Sequence, residues 1–203
     1  MFLAGSDTTS TALVWAMTEL IRHPEIMKEV QMEIREIGKE NGCIKEDDLG
    51  KMHLMKLVMK ETLRLHIPGP LLIPHETMQE TKLLGYDIPA KIRVLINAWA
   101  IARDPLLWEE PEEFRPKRFL NSSLDYKGND FEYIPFGAGR RGCPGILFAI
   151  PTVELPLANL LYHFNWTTRS GAPRARDLDV TEGFGIVTYK KYPLVAIATP
   201  HFS

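Results

Sequence analysis

The chain has 203 residues, 45% of them hydrophobic and 25% charged, a composition typical of a globular protein with one sizeable core. Its formal net charge of -2 gives no electrostatic reason to expect nucleic acid as a partner. The two cysteines are too few for a disulfide framework, which favours a reducing compartment.

Helical periodicity dominates the first third of the chain. Apolar residues recur at helical spacing over 13–21, and "RHP" then ends the first helix. Pro24 suits the first turn of a second helix, which ends at "GKENG". A third helix is predicted over roughly 54–65, where the proline-rich "HIPGPLLIP" follows it.

The pattern changes in the middle of the chain. Alternation around turn residues over 81–97 predicts short strands, and "AWAIARD" predicts a short helix. The stretch 105–142 is long, irregular and rich in proline and glycine, which usually indicates function. Helical spacing resumes over 146–164, and the tail over 183–200 is predicted to form a hairpin.

The start of the chain is unusual for a domain. Met1 opens directly into a helical pattern without a capping residue, so we expect the chain to be the rear part of a longer one. In a signal peptide a basic segment precedes the apolar stretch, and no basic segment precedes the first apolar stretch of this sequence. No uninterrupted apolar run reaches the roughly 18 residues that span a bilayer.

The segment "PFGAGRRGCPG", residues 135–145, places one of the two cysteines among glycines and arginines. Pro144 suits the first turn of the next helix, which predicts Cys143 as its N-cap. A helix N-terminus favours the thiolate, the form that binds metals or attacks carbon. Glycines allow close approach to a flat ligand, and Arg140 and Arg141 suit its anionic groups.

Three roles for Cys143 compete at this point. A structural cysteine is the commonest case. A nucleophilic cysteine needs a base, but no histidine is near it in sequence and no Cys–His signature is visible. A metal ligand is the third role. Zinc needs more ligands than one cysteine, whereas haem needs a single protein ligand, and a thiolate ligand favours O–O cleavage.

The segment "FGAGRRGCPG" fits F-x-x-G-x-R-x-C-x-G, the haem-binding signature of the cytochromes P450. Three earlier segments appear in the family's order: "AGSDTT" resembles its oxygen-activation segment, "ETLR" its E-x-x-R pair and "FRPKRF" its P-E-R-F segment. The chain therefore resembles cytochromes P450, plant A-type members above all, and the structural role of Cys143 is set aside. The fixed positions of the signature are Phe136, Gly139, Arg141, Cys143 and Gly145.

The resemblance implies the carboxy-terminal part of the cytochrome P450 fold, mainly α with small β-sheets, with 1–203 forming one partial domain. It implies haem-thiolate monooxygenation, in which one atom of dioxygen enters a small hydrophobic substrate, of a kind found in plant secondary metabolism. Haem b is the implied cofactor, and electrons would come from NADPH through cytochrome P450 reductase. The family is found at the cytosolic face of the endoplasmic reticulum membrane.

The resemblance also implies roles for individual residues. Cys143 would be the axial ligand of the haem iron, Arg141 would pair with a haem propionate, and His75 would face one. Asp7 and Thr8 would form the acid–alcohol pair that delivers protons during oxygen activation. The other implied haem-binding positions are Pro135, Phe136, Gly137 and Gly145. The implied buried ion-pair network consists of Glu61, Arg64 and Arg118.

Each of these segments has a simpler explanation when it is taken alone. "DTT" near a helix start is usually a cap, and an i, i+3 pair such as Glu61 and Arg64 is usually solvated and contributes about 0.2–0.5 kcal/mol. Only the resemblance places that pair in the interior. His66 is interpreted as a helix-end histidine without a ligand role, and Cys43 as inert.

The chain departs from the family pattern in several places. Lys117 stands where the family usually has glutamate, and Ile67 where it has proline. Pro151 and Pro156 fall inside the helix after Cys143, where each costs about 3 kcal/mol, so we expect that helix to be kinked or poorly formed.

The amino-terminal half of the family's fold, with its membrane anchor, is expected to be missing from this chain. Three segments that line the family's substrate site remain, near 4–8, 67–75 and 183–187. Two alternative hypotheses stay open. One is a catalytically inactive fragment or interaction module. The other is a thiol-nucleophile enzyme, which requires rapid alkylation of Cys143 and activity without haem.

Overall fold

The computed structural model describes residues 2–168, 177–183 and 185–201. Two sequence-based predictions touch residues outside these ranges. Met1, where the first helical pattern begins, lies outside the described residues. So does Phe184, which belongs to the predicted lining segment 183–187 and to the predicted tail hairpin.

Helices make up most of the regular structure in the described ranges. They are α1 (Phe2–Arg22), α2 (Pro24–Gly38), α3 (His53–Leu65), α4 (Ala98–Ile101) and α5 (Ile146–His163). Short 3-10 turns occur at Glu46–Lys51, Pro116–Phe119 and Gly139–Arg141. All five helices lie where periodicity predicted them, and Pro24 occupies the first turn of α2 as expected.

The strands form four separate two-stranded antiparallel pairs within the described ranges. They are β1 (His75–Glu76) with β4 (Arg93–Val94), β2 (Thr81–Leu83) with β3 (Tyr86–Ile88), β5 (Phe164–Thr168) with β8 (Ala196–Pro200), and β6 (Glu182–Gly183) with β7 (Tyr189–Lys190). The predicted class, mainly α with small β-sheets, is confirmed. Between β2 and β3, Leu84 and Gly85 have φ of 49° and 87°, the left-handed geometry of a two-residue hairpin turn.

The prediction of a single hairpin over 183–200 is wrong. β6 and β7 form a short hairpin, but β8 pairs with β5, where Trp166 lies opposite Ala198. β5 follows α5 directly and offers β8 a ladder of five residue pairs, whereas β7 extends over two residues. Alternation in the tail identified a strand but carried no information on its partner.

The core lies where α1, α2, α3 and α5 meet. Each helix contributes a side chain with no exposed surface: Leu20, Ile34, Met55 and Leu157. α5 has a mean hydropathy of 1.3 over 18 residues, so among the described helices it alone is long and apolar enough to cross a membrane. In this fold its residues Ile150, Val153, Leu157 and Leu161 are buried in that core.

α5 runs without interruption through Pro151 and Pro156, so the expectation of a poorly formed helix is wrong. Each proline removes the N–H that would bond to the carbonyl four residues earlier, at Leu147 and Thr152. Both of these residues are exposed, Leu147 by 84%. Water can therefore hydrogen-bond to the carbonyls that the prolines leave unpaired, which limits their cost.

Candidate functional site

Cys143 lies at the end of a tight loop that ends just before α5. The Cys143 N–H donates to the Phe136 carbonyl at 2.8 Å, and the Gly142 N–H donates to the Gly139 carbonyl at 3.0 Å. Gly137 and Gly139 have φ of 72° and 62°, which side chains rarely adopt. The loop thus closes on itself and leaves the Cys143 side chain exposed.

The predicted N-cap position of Cys143 is wrong. The cap of α5 is Gly145, whose carbonyl accepts from the N–H groups of Phe148 and Ala149 at 3.0 and 2.8 Å. The hydrogen bond to Phe136 holds Cys143 in the loop, two residues before the cap. Its sulfur nevertheless stays close to the helix start, because a Cβ on Gly145 would lie 3.7 Å from Cys143 Sγ.

Residues 125–136 contact the loop that carries Cys143 and support its shape. A Cβ on Gly128 would lie 2.7 Å from the Gly137 carbonyl oxygen, so only glycine allows this approach. The Tyr126 and Phe136 rings meet edge to face, with centroids 5.9 Å apart. Pro135 is buried, whereas Phe136 and Gly137 are half-buried. These contacts hold the loop in this shape.

The residues around the loop fit a haem better than a protein-held metal. Among the described residues, no group of three or more His, Cys, Asp or Glu could hold a metal ion. A Cβ on Gly137 would meet Leu72 at 3.8 Å, so glycine keeps open the space between the loop and segment 67–75. Leu147 and Phe148, which follow the loop, are 84% and 75% exposed and available to an apolar ligand.

Two predicted partners for anionic groups lie in different elements. His75 is half-buried on β1 opposite Val94, and Arg141 is exposed at the end of the 3-10 turn. Within the described ranges, neither side chain forms a hydrogen bond or an ion pair. Both are therefore free to bind an anionic ligand such as a carboxylate.

Glu61, Arg64 and Arg118 are brought together in the structure. Arg64 Nε lies 2.8 Å from Glu61 Oε2, Arg64 Nη2 lies 2.9 Å from Glu61 Oε1, and Arg118 Nε lies 3.0 Å from the same Oε1. The Arg115 N–H also donates to Glu61 Oε1, at 2.8 Å. The Glu61 carboxylate thus accepts four hydrogen bonds in a fully buried position.

The two arginines of this network also bind backbone carbonyls. Arg64 donates to the carbonyls of Ala102, Pro111 and Glu113 at 2.7, 2.8 and 3.2 Å. Arg118 donates to those of Glu109, Glu110 and Glu113 at 2.7, 3.1 and 3.2 Å. Because carbonyls without partners are costly in the interior, the network fixes the irregular segment 102–113 against α3.

Asp7 and Thr8 lie within α1 rather than at its cap. The Thr8 hydroxyl donates to the Ala4 carbonyl at 2.6 Å, and the Thr9 hydroxyl donates to the Gly5 carbonyl at 2.5 Å. Asp7 is exposed and Thr8 half-buried. A hydroxyl bonded in this way still has its oxygen available as an acceptor.

His66 lies at the end of α3, as predicted, but it belongs to a buried cluster that was not predicted from the sequence. His66 Nε2 lies 2.9 Å from Glu19 Oε1, and its Nδ1 lies 3.3 Å from Glu182 Oε1. Burial raises the pKa of Glu19, but hydrogen bonds from His23 and His66 outweigh it and lower that pKa to about 2. The one available signal was the acidic Glu19 within the apolar stripe of α1.

The family profile described as Cytochrome P450 matches residues 1–194. The chain belongs to the cytochrome P450 family. It is 53% identical over 203 residues to Cytochrome P450 71A1 of Persea americana, covering 100% of this chain and 40% of that protein. It is 55% identical over 201 residues to psoralen synthase of Ammi majus, covering 99% of this chain and 40% of that protein.

The fold is also that of solved cytochromes P450. A zebra fish cytochrome P450 solved with abiraterone is 35% identical, with a TM-score of 0.86, over 98% of this chain and 45% of that one. The chain thus spans about 40% of the length of its curated plant relatives and corresponds to their carboxy-terminal portion. Cytochromes P450 use haem as their cofactor, which agrees with the fit of the Cys143 loop.

Proposed function

We propose that this chain carries the haem-binding part of a haem-thiolate monooxygenase of plant secondary metabolism. The observation that carries the proposal is the exposed Cys143 thiol in a closed glycine loop directly before α5. Cys143 would hold the iron of haem b through its sulfur, and residues 1–203 form one partial domain. When bound, haem supplies the redox chemistry that activates dioxygen and oxidises the substrate.

The loop residues hold the cofactor in this proposal. Pro135 and Phe136 fix the start of the loop, and Gly137 and Gly145, which have no side chain, would let haem approach the loop backbone. Arg141 and His75 would hold the propionates of haem, since both are free of other ion pairs among the described residues. The network of Glu61, Arg64 and Arg118 braces the surrounding chain.

Asp7 and Thr8 move protons in this proposal. The Thr8 hydroxyl is oriented by the Ala4 carbonyl at 2.6 Å, and its oxygen can accept a hydrogen bond from water. Asp7, one residue earlier and exposed, exchanges protons with solvent. The pair therefore delivers protons from solvent to the site where dioxygen is activated.

The substrate class and the partners are proposed by similarity to other cytochromes P450. Psoralen synthase is a similar protein, and its name favours a small hydrophobic plant metabolite as substrate. Dioxygen is the second substrate, and NADPH–cytochrome P450 reductase supplies electrons. The net charge of -2 gives nucleic acid no role. We place the complete protein at the cytosolic face of the endoplasmic reticulum membrane.

The proposal is tested in a chimera of this chain and Cytochrome P450 71A1 of Persea americana, the avocado. In this protein, called the avocado chimera below, the part of Cytochrome P450 71A1 that this chain does not match precedes residues 1–203. The reduced protein is exposed to carbon monoxide and its difference spectrum is recorded. The red-shifted band of thiolate-bound haem is expected, with oxidation of NADPH when reductase is added. Haem bound without that band, or rapid alkylation of Cys143 with activity in haem-free protein, contradicts the proposal.

A further inference from the structure

A buried charged cluster joins three parts of the chain that are distant in sequence. Glu19 belongs to α1, His66 caps the end of α3, and Glu182 begins β6. The side chains of Glu19 and His66 are 0% and 4% exposed, and that of Glu182 is 21% exposed. His66 uses both ring nitrogens, one on each acid, at 2.9 and 3.3 Å.

Each member of this cluster lies either on the same helix as one of the three predicted substrate-lining segments or directly before one in sequence. α1 carries both Glu19 and segment 4–8. His66 directly precedes segment 67–75, and Glu182 directly precedes segment 183–187. We propose that Glu19, His66 and Glu182 form a positioning hub that sets the three lining segments relative to one another. The inference rests on the proposed monooxygenase function, because only that function gives those segments a role in lining a substrate site.

A second set of contacts links the same three parts. The Trp15 indole of α1 stacks on the His66 ring, with centroids 3.8 Å apart and planes 1° apart. Trp15 Nε1 donates to the Thr188 carbonyl at 3.1 Å, and the Thr188 N–H donates to the Pro68 carbonyl at 2.9 Å. The β6–β7 hairpin is therefore attached at Glu182 and at Thr188, on both sides of segment 183–187.

The two acids have additional partners that keep them charged. Glu182 accepts from Trp99 Nε1 at 3.0 Å and pairs with Arg103 at 3.5 Å. Burial raises the pKa of Glu182, but the bond with His66 and the charge of Arg103 outweigh it and lower that pKa. Glu19 is likewise held by Arg22 at 2.9 Å. Loss of His66 leaves each acid on its own element and removes the side-chain link between them.

His23 provides a matched control for His66. Its ring Nδ1 lies 2.9 Å from the Glu19 carbonyl oxygen and 3.4 Å from Glu19 Oε2, so it bonds to the same acid. His23 lies between α1 and α2, and its described contacts include none of the lining segments. His23→Gln therefore disturbs the same carboxylate without disturbing the placement of the segments.

The test uses the avocado chimera and two haem ligands, imidazole and 4-phenylimidazole. Both bind ferric haem through a ring nitrogen, and 4-phenylimidazole carries in addition a bulky apolar phenyl group, whose fit depends on the placement of the lining segments. In His66→Gln we expect the Kd of 4-phenylimidazole to change about fivefold or more, while that of imidazole changes less than about twofold. We expect the same pattern in Glu182→Gln. In the double variant, His66→Gln with Glu182→Gln, the Kd of 4-phenylimidazole should change no more than in the more strongly affected single variant.

Three outcomes overturn the inference. One is an unchanged ratio of the two dissociation constants in Glu182→Gln, a milder variant that decides the matter if His66→Gln does not fold. Another is an unchanged ratio in a folded His66→Gln. The third is an equal change in His23→Gln, which indicates general loosening. A wild-type chimera without the red-shifted carbon monoxide band overturns the proposed function itself, and is seen before any variant is made.

Discussion

The Arg64 guanidinium holds both carboxylate oxygens of Glu61, at 2.8 and 2.9 Å, and neither side chain has any exposed surface. The two residues are three positions apart on α3, a spacing that on a solvated helix contributes a few tenths of a kcal/mol. In the interior, removal of one partner leaves a desolvated charge, and the cost is correspondingly larger.

We expect Arg64→Met to lower the free energy of unfolding by about 3–5 kcal/mol. The loss has two causes: Glu61 keeps only Arg118 and the Arg115 N–H, and the carbonyls of segment 102–113 lose donors. The matched control is Lys39→Met, in the Lys39–Glu36 pair, whose side chains are 72% and 79% exposed. It should cost less than about 0.5 kcal/mol. Urea unfolding of the avocado chimera measures both, and equal losses would contradict the prediction.

Cys143→Ser should abolish the red-shifted carbon monoxide band of the avocado chimera, because a serine hydroxyl does not replace thiolate as an iron ligand. Cys43→Ser is the control. Cys43 lies just after α2 and is free, so its replacement should leave the band unchanged. If the band persisted in Cys143→Ser, the ligand assignment would be wrong.

Thr8→Ala should leave haem content unchanged and divert electrons from NADPH into hydrogen peroxide. The reason is the loss of the hydroxyl that delivers protons during oxygen activation. Thr9→Ala serves as the control, because Thr9 makes the same hydrogen bond to the carbonyl four residues earlier. Peroxide formed per NADPH consumed is the measurement. Equal coupling in the two variants would remove Thr8 from the proton path.

Glu154 on α5 makes the stability of the protein fall as pH rises. Burial raises its pKa from 4.5 to about 7, although the charge of Lys56 lowers it in part. Between these two values the folded state holds a proton that the unfolded state has lost. The stabilisation is therefore complete below about pH 4.5 and is lost as pH rises to about 7.

Glu154→Gln should remove this dependence. At pH 8 we expect the variant to be more stable than the wild type by roughly 2–3 kcal/mol, with the difference shrinking toward pH 5. Urea unfolding at pH 5, 6, 7 and 8 measures it. Other titrating groups are common to both proteins and cancel in the comparison. A constant difference across these pH values would mean that Glu154 does not titrate in this range.

The helices could be predicted from the sequence because their signals are local. Pro24 begins α2, and the apolar stripe of α5 is visible in spite of Pro151 and Pro156. Helix caps and strand partners were less accessible. The N–H of Cys143 donates to the Phe136 carbonyl within the loop, and the nearest paired residues of β5 and β8, Thr168 and Ala196, are 28 residues apart in sequence.

The candidate site, like the fold, has parts that local sequence reveals and parts that depend on long-range contacts. The Cys143 loop and the Glu61–Arg64 spacing are short motifs, so a single segment of sequence reveals them. Glu19 and Glu182, which bond to His66, are 47 and 116 residues from it in sequence, and no local pattern indicates such contacts. A histidine at a helix end usually needs no explanation, and only the fold brings Glu19 and Glu182 to its two ring nitrogens.

The separation of Glu19, His66 and Glu182 along the sequence should restrict how this chain can exchange segments with its relatives. A recombination junction between any two of them pairs an acid from one parent with a histidine, or its substitute, from another. Junctions ahead of Glu19 or behind Glu182 keep the three together as one inherited block. When libraries are built by shuffling relatives, this stretch should therefore be transferred whole, and hybrids broken inside it should be under-represented among those that retain parental selectivity.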